Sequence, residues 1–350
     1  MSFKIKDKII GLNKSCFIIA EAGINHNGDI KLAKKMIDVA VKANADAIKF
    51  QTFVTENIVS KNTPTVKYQM QTTDISNQYD LIKKLELSFL EFKELKTYAE
   101  NQDLIFLSTP FDLDSVDFLE LLNISCYKIS SGDLTNKQLL TKISSLGKPI
   151  ILSTGMSNLD EIKEAISWIS SKEHPIPLAL LHCVSSYPAQ IEDCNLKSIS
   201  LLEEKFHLPV GFSDHTIDSV AAITAVALNS CIIEKHFTLD KKMKGPDHSM
   251  SLDPNDLVEF VKSIRKAETS LGNKIKNCLK CEEEIREIAR KSIVAKKDLS
   301  EGSIITKDSI AIKRPGTGIP PKFFDKLMGK RILQKINKDD ILTLESVESF

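Results

Sequence analysis

Eight short apolar runs, each followed by a segment of helical periodicity, fill the first 270 residues, and this alternation constrains the fold more than any other feature. The runs are CFIIAEAG (16–23), AIKFQTF (47–53), LIFLSTP (104–110), CYKISSG (126–132), PIILSTG (149–155), LALLHC (178–183), VGFSDH (210–215) and CIIEKHF (231–237). Between them lie stretches such as DIKLAKKMIDVAVKAN and NLDEIKEAISWISS, with apolar residues spaced three and four apart. Asp112, Asn158 and Asp218 are placed to cap helices. Strands that alternate with helices pair in parallel. Eight such units predict a (β/α)8 barrel, because closure removes both sheet edges. A doubly wound open sheet is the structural alternative.

The remaining 80 residues change character, which divides the chain into a barrel domain (1–272), a polar linker with a helical end (273–291) and a small β-rich domain (292–350). A domain of that last size is marginal alone and gains from packing against something else. Its loop RPGTGIPP (314–321) is stiffened by Pro315, Pro320 and Pro321, as suits an arginine, Arg314, held in one pose. Residues 54–87 interrupt the alternation after the second strand, where a barrel's upper loops lie, and are expected to form a lid.

Composition excludes several classes. Lysine plus arginine and aspartate plus glutamate each total 47, so a basic nucleic-acid footprint is absent. No apolar stretch approaches the roughly 20 residues of a membrane span, and the amino-terminal MSFKIKDKII lacks the apolar core of a signal peptide. Of seven cysteines, Cys16, Cys126, Cys183 and Cys231 fall inside strand-like runs, which points to reduced core thiols and a cytoplasmic protein. The pair Cys278-x-x-Cys281 has no second ligand pair that would complete a zinc site.

In a (β/α)8 barrel the chemistry gathers at the carboxyl ends of the strands. Those ends read Glu21; Lys49 and Gln51; Ser108 and Thr109; Lys128 and Ser131; Ser153; His182; Ser213, Asp214 and His215; and Glu234 and His236. Side chains alternate faces with period two, so Glu234 and His236 share a face, as do Ser213 with His215 and Lys49 with Gln51. If those faces look inward, His215 and His236 are neighbours on the seventh and eighth strands, with acids Asp214, Glu234 and Asp247 near them. Two imidazoles without thiolates suit an exchangeable Mn2+ or Mg2+ that keeps positions open for water and substrate oxygens. Hydrogen-bonded core histidines are the alternative. Lys49 and Lys128, with hydroxyls at Thr109, Ser131, Ser153 and Ser213, suit a dianion carrying phosphate and carboxylate. A Schiff-base lysine is the competing use.

With these residues in place the chain resembles the sialic acid synthase family nearly end to end. The stretches that carry the resemblance include IIAEAGINHNGD (18–29), FLSTPFD (106–112), YKISSGD (127–133), LHCVSSYP (181–188), GFSDHT (211–216), IEKHFTLDKKMKGPDH (233–248) and KRPGTGI (313–319). The last 60 residues are similar to the antifreeze-like (SAF) domain that ends these synthases. The resemblance implies condensation of phosphoenolpyruvate with N-acetylmannosamine to N-acetylneuraminate, with C–O cleavage and release of phosphate. Legionaminic acid synthases, which take 2,4-diacetamido-2,4,6-trideoxymannose, share nearly all the quoted motifs; pseudaminic acid synthases are more distant. A non-catalytic sugar- or ice-binding protein built around the last domain is the reading from another class. By the resemblance His215 and His236 hold the metal; Lys49, Thr109, Lys128, Ser131, Ser153 and Ser213 grip phosphoenolpyruvate; and Glu21 stands by the reacting carbons. Gln51, Tyr187, Glu234 and Asp247 meet the sugar, and Arg314 is lent to the partner's barrel in a domain-swapped homodimer. Asp133, where the family usually has glutamate, and Val184, Ser185 and Ser186 before Tyr187 depart from the pattern at the mouth.

Overall fold

The computed structural model describes residues 2–64, 73, 75–171 and 173–350, and the chain divides into two compact units, Met1–Gly272 and Asn273–Phe350. In the first, a hairpin of β1 (Ser2–Ile5) and β2 (Lys8–Gly11) precedes eight strands that close into a parallel barrel. These are β3 (Phe17–Gly23), β4 (Ala47–Thr52), β5 (Ile105–Pro110), β6 (Tyr127–Ile129), β7 (Ile150–Ser153), β8 (Leu178–Cys183), β9 (Val210–Asp214) and β10 (Ile232–His236). They pair in chain order, and β10 closes on β3 with Ile232 opposite Phe17 and His236 opposite Glu21. Each strand begins within one residue of its apolar run, and each crossover carries at least one helix whose apolar stripe covers the outer wall.

Helix starts follow side-chain chemistry. The Asp112 carboxylate accepts from the Ser115 amide at 2.9 Å, and Asn158 and Glu161 form a reciprocal capping box. Asp218 instead accepts from the Val220 amide at 2.9 Å and stands one residue outside the helix Val220–Ala227, whose cap position is Ser219. The run CYKISSG yields only three strand residues, because Ser131–Asp133 turn as a 3-10 helix in which Asp133 accepts from the Ser130 hydroxyl at 2.7 Å.

Parity divides the barrel interior by depth. At the amino-terminal end, inward-facing Phe17, Ile19, Ala47, Ile105 and Ile151 form an apolar floor that the hairpin closes with Ile5 and Ile10, both fully buried. Nothing larger than glycine fits one place in this layer. A β-carbon on Gly211 would lie 2.5 Å from Leu181 Cδ2 and 2.6 Å from the Ile232 carbonyl oxygen. Overpacking of this kind costs about 1–3 kcal/mol. Gly211→Ala is therefore expected to lower the unfolding free energy by that amount, read as a lower urea midpoint at unchanged m-value, and a variant as stable as the parent would show that the floor can relax.

The insertion after β4 has a helix at Thr55–Ile58 and another at Gln78–Leu85, whose Leu81 and Leu85 pack with Ile24 and Phe53. The centre of the expected lid, 65–72 and 74, lies outside the described residues. Among the described residues no helix is long and apolar enough to cross a membrane.

The second unit has a 3-10 turn (Lys280–Glu282), a helix (Glu283–Ala289) and an antiparallel pair of β11 (Ser292–Ala295) and β12 (Ile310–Lys313) over a core that includes Ile293, Leu299, Ile310, Ile332 and Leu342. The Ser292 hydroxyl donates to the Pro315 carbonyl at 2.7 Å and accepts from the Gly318 amide at 2.8 Å, while the Gly316 amide donates to the Glu287 carbonyl at 2.7 Å. The segment after Arg314 is thus tied down, and Arg314 itself is exposed.

Candidate active site

Above the apolar floor the interior becomes ionic, and a cavity of about 530 Å³ opens at the carboxyl ends of the strands. Glu21, Lys49, Gln51, Thr109, Lys128, Ser131, Ser153, Tyr187, Ser213, His215, Glu234 and His236 all line it, from seven strands and the loops that follow them. Asp247 is buried in the loop after β10, close enough to feel the charges of Glu21 and His215. Arg314 belongs to the second unit.

Two lysines and two carboxylates form the base. Lys49 Nζ lies 2.8 Å from Glu21 and 3.7 Å from Glu234, and it donates to the Thr109 hydroxyl at 3.2 Å. Lys128 Nζ donates to the Ser153 hydroxyl at 2.7 Å and lies 3.5 Å from the other oxygen of Glu234. Glu234 also accepts from Ser213 at 2.9 Å, and Gln51 donates to Glu21 at 3.2 Å. Ser131 accepts from the Gly155 amide at 3.0 Å.

The environment separates the two acids. Burial opposes the charge of Glu234, but Lys128 and Lys49 outweigh it and hold the carboxyl at about 2. Burial pushes Glu21 up, with Glu234 adding to the rise against the pull of Lys49. Burial would discharge Lys49, yet Glu21 and Glu234 hold it above its ordinary range. Lys128 is lowered by burial, and Lys49 adds to the fall. Burial raises Asp247 to about 6. One permanent anion beside one protonatable acid is a pairing suited to proton transfer.

His215 and His236 meet on one wall with ring centroids 5.5 Å apart, and Tyr187 lies 4.3 Å from the first and 6.1 Å from the second. His215 Nδ1 is 2.7 Å from the Val184 carbonyl, which can only accept, so Nδ1 carries a proton and Nε2 is the nitrogen turned to the cavity. Burial opposes the charge of this ring, but Cys183, the Val184 carbonyl and Glu234 outweigh it and raise the imidazole above its ordinary range. His236 is pushed well down, by burial first and by His215 next, and is a neutral imidazole whose buried Nδ1 has no hydrogen-bond partner. Two imidazoles on one cavity wall, one oriented from behind by its Nδ1 hydrogen bond, fit the ligand set of a divalent metal, whose own charge would favour the unprotonated Nε2 of His215. Among the described residues no three or more His, Cys, Asp or Glu side chains are placed to hold one metal ion together, so a cation on these two histidines would keep positions for water and substrate oxygens.

Some strand-end groups face away from the cavity. His182 Nε2 meets the Cys194 carbonyl at 2.7 Å outside the barrel, and Ser108 pairs with Thr52 at 2.7 Å. Asp214, expected beside the histidines, also points outward, where it meets Lys235 at 2.9 Å. Parity assigns all three, and it also brings in Cys183, which lines the cavity 3.8 Å from His215 Nδ1. Gln78, Phe111, Ser130, Gly132, Met156 and Ser185 complete the rim; Gln78 opens the helix Gln78–Leu85, and the others lie on turns and loops whose direction no periodicity encodes. Asp133 spends its carboxylate on Ser130 and Asn136. A second cavity, about 560 Å³, lies beside the hairpin at the opposite end, where Asp46 pairs with Arg265 at 2.7 Å and Lys8 at 2.9 Å.

A closed parallel barrel with its ionisable groups gathered at one rim defines an enzyme of the (β/α)8 class. Residues 36–276 match the NeuB family and residues 290–348 the SAF domain. The N,N'-diacetyllegionaminic acid synthase of Campylobacter jejuni is 44% identical over 94% of this chain and 99% of its own length. The N-acetylneuraminate-9-phosphate synthase of Mus musculus is 37% identical over 97% and 95%. A crystal structure of N-acetylneuraminic acid (sialic acid) synthetase from Leptospira borgpetersenii, in complex with citrate, superposes with a TM-score of 0.73 at 35% identity, covering 81% of this chain and 95% of that one. The chain belongs to the NeuB family, the sialic, legionaminic and pseudaminic acid synthases, which condense phosphoenolpyruvate with sugars.

Proposed function

We propose that this enzyme condenses phosphoenolpyruvate with an unphosphorylated N-acylated amino sugar, and that its acceptor is 2,4-diacetamido-2,4,6-trideoxymannose, giving N,N'-diacetyllegionaminate. The observation that carries the reading is the cation count. Among the described residues Lys49 and Lys128 are the only lysines or arginines lining the cavity, and both sit at its base on Glu21, Glu234 and Ser153. They suffice for one anion, phosphoenolpyruvate, and leave no described cation of the same barrel for a second phosphate on the sugar; Arg314, taken below to come from a second protomer, would then serve the sugar's own polar groups. The rim, with Phe111, Met156 and Ser185, suits the methyl and acetamido groups of a deoxy sugar. The legionaminate synthase of C. jejuni is also more similar to this chain than the mouse 9-phosphate synthase. N-acetylmannosamine, the first expectation from the family resemblance, is the competing acceptor, since the two groups of synthases share nearly all the quoted motifs.

In this reading Lys49 and Lys128 turn from the carboxylates to the phosphate and carboxylate of phosphoenolpyruvate, and Thr109, Ser131, Ser153 and Ser213 donate to its oxygens. Gln51, Tyr187, Glu234 and Asp247 orient the sugar so that its aldehyde carbon faces carbon 3 of the enol. The π electrons of phosphoenolpyruvate form the new C–C bond, the aldehyde oxygen takes a proton, and positive charge develops at carbon 2. Glu21, pushed up by burial, gives that proton and recovers one from the water that adds at carbon 2. The adduct then expels phosphate with the bridging oxygen and leaves the 2-keto acid. His215 and His236 would hold a divalent cation, Mn2+ or Mg2+, which when bound would supply Lewis-acid polarisation of the aldehyde.

Arg314 completes the sugar site from a second protomer. Support for a partner comes from the exposed apolar side chains Leu271, Ile275, Leu279, Ile285 and Ile288. Free thiols at Cys16, Cys126, Cys183, Cys194 and Cys231, all buried, support residence in the reducing cytoplasm.

Phosphate release with phosphoenolpyruvate and Mn2+, measured in parallel with the diacetamido sugar, N-acetylmannosamine and its 6-phosphate, tests the assignment. The expected order of kcat/KM is the order given. Preference for the phosphorylated sugar would overturn the cation argument, and preference for N-acetylmannosamine would overturn the choice of acceptor alone.

A further inference from the structure

Lys235 stands between Glu234 and His236 but faces the opposite way, through the barrel wall, and is 1% exposed. Its ammonium donates to the Asp214 carboxylate at 2.9 Å, to the carbonyls of Thr216 and Asp218, the latter at 3.1 Å, and to the Thr216 hydroxyl at 3.4 Å. It also lies 5.7 Å from the centre of the Phe260 ring. Asp214 in turn accepts from the amide and the hydroxyl of Thr216, both at 2.8 Å. Every hydrogen bond of this lysine thus lands on the bend from Asp214 to Asp218, and His215 is the residue inside that bend whose side chain enters the cavity.

The strand register shows what the contact adds. The ladder between β9 and β10 pairs Ile233 with Phe212, Glu234 with Ser213 and Lys235 with Asp214, and it ends there. His215 and His236 are the next residue on each strand, beyond the last pairing. Besides the Cys183 thiol 3.8 Å from its Nδ1, His215 has two anchors, its Nδ1 bond to Val184 and its carbonyl, which accepts from the Ala189 amide at 2.9 Å. Both tie it back to the loop after β8. The tie from β10, the strand that carries the other imidazole, runs through Lys235.

We propose that Lys235, with Asp214, is a positioning residue that sets the spacing of His215 and His236 from behind the barrel wall and thereby tunes their hold on a divalent cation. It touches neither substrate nor metal, and the inference rests on the metal reading above. An ordinary buried ion pair would affect stability alone. A positioning pair affects the histidines even when stability is restored.

Lys235→Met, Asp214→Asn and the double variant, in the full chain, separate these roles. Each single change leaves a buried group without its partner and is expected to lower the melting temperature, whereas removing both together recovers most of that loss. Mn2+ affinity of the substrate-free enzyme, read from free Mn2+ by electron paramagnetic resonance, is expected to fall about tenfold or more in all three, including the double variant. The phosphoenolpyruvate KM, set by the lysines at the base, should stay within about twofold. Asp214→Asn keeps the shape that accepts from Thr216 and carries the test if the other variants do not fold. Recovery of Mn2+ affinity together with stability overturns the proposal, as does an equal loss of phosphoenolpyruvate and Mn2+ binding. If the parent protein binds no Mn2+, the metal reading fails by itself, and the imidazole nitrogen resonances of His215 in the metal-free protein decide the positioning role. They should move in the variants, and unmoved resonances overturn it.

Discussion

Lys49→Met is expected to lower kcat/KM for phosphoenolpyruvate by about a thousandfold or more, equivalent to about 4 kcal/mol of transition-state stabilisation. The size follows from position. Lys49 is 4% exposed, 2.8 Å from Glu21 and 3.7 Å from Glu234, so it balances two buried acids and is the nearest cation to an incoming dianion. Its removal leaves Glu21 and Glu234 facing each other, and the one already pushed up, Glu21, takes a proton permanently. Anion grip and proton relay are lost together. Phosphate release followed against phosphoenolpyruvate concentration reads both, and a variant that keeps the parent KM would remove Lys49 from the anion site.

The second large effect is expected in mixed oligomers. Arg314→Ala should raise the acceptor KM roughly ten- to a hundredfold, the worth of one charged hydrogen-bonded contact, and leave the phosphoenolpyruvate KM unchanged. Unfolded together and refolded with Lys49→Met, and assayed with the acceptor well below the parent KM, two weakly active proteins should regain activity. In a random mixture half the dimers pair one of each, and in each of these one barrel with its lysine receives an intact arginine from the other chain. About a quarter of parent activity is the limit in a two-fold assembly. No recovery would place Arg314 in its own protomer's site or in none.

The barrel was legible because two rules act together along the chain. Alternation of apolar runs with helical segments identifies all eight strands, and period two within a strand assigns Glu234, His236, Ser213 and His215 to the cavity wall. The same rule turns His182, Asp214 and Lys235 outward; reading strand ends without it groups Asp214 with the histidines. The strands of the amino-terminal hairpin are four residues each, too short for alternation to register, although Phe3, Ile5 and Ile10 plug the floor. The bonds of Lys235 depend on the path of the 214–218 bend, which no local pattern encodes, and the rim residues Phe111, Met156 and Ser185 lie on loops. Closeness of charges in sequence is a poor guide to partnership: Glu21, Lys49, Lys128 and Glu234 converge from four separate strands.

The hairpin and the apolar floor make the barrel a dead-end shaft. Whatever enters it leaves by the same opening, so traffic is last in, first out. If a small anion settles on Lys49 and Lys128 at the bottom, as proposed above, it must arrive before the bulkier sugar above it, and the liberated phosphate must wait until the condensed product has cleared the exit.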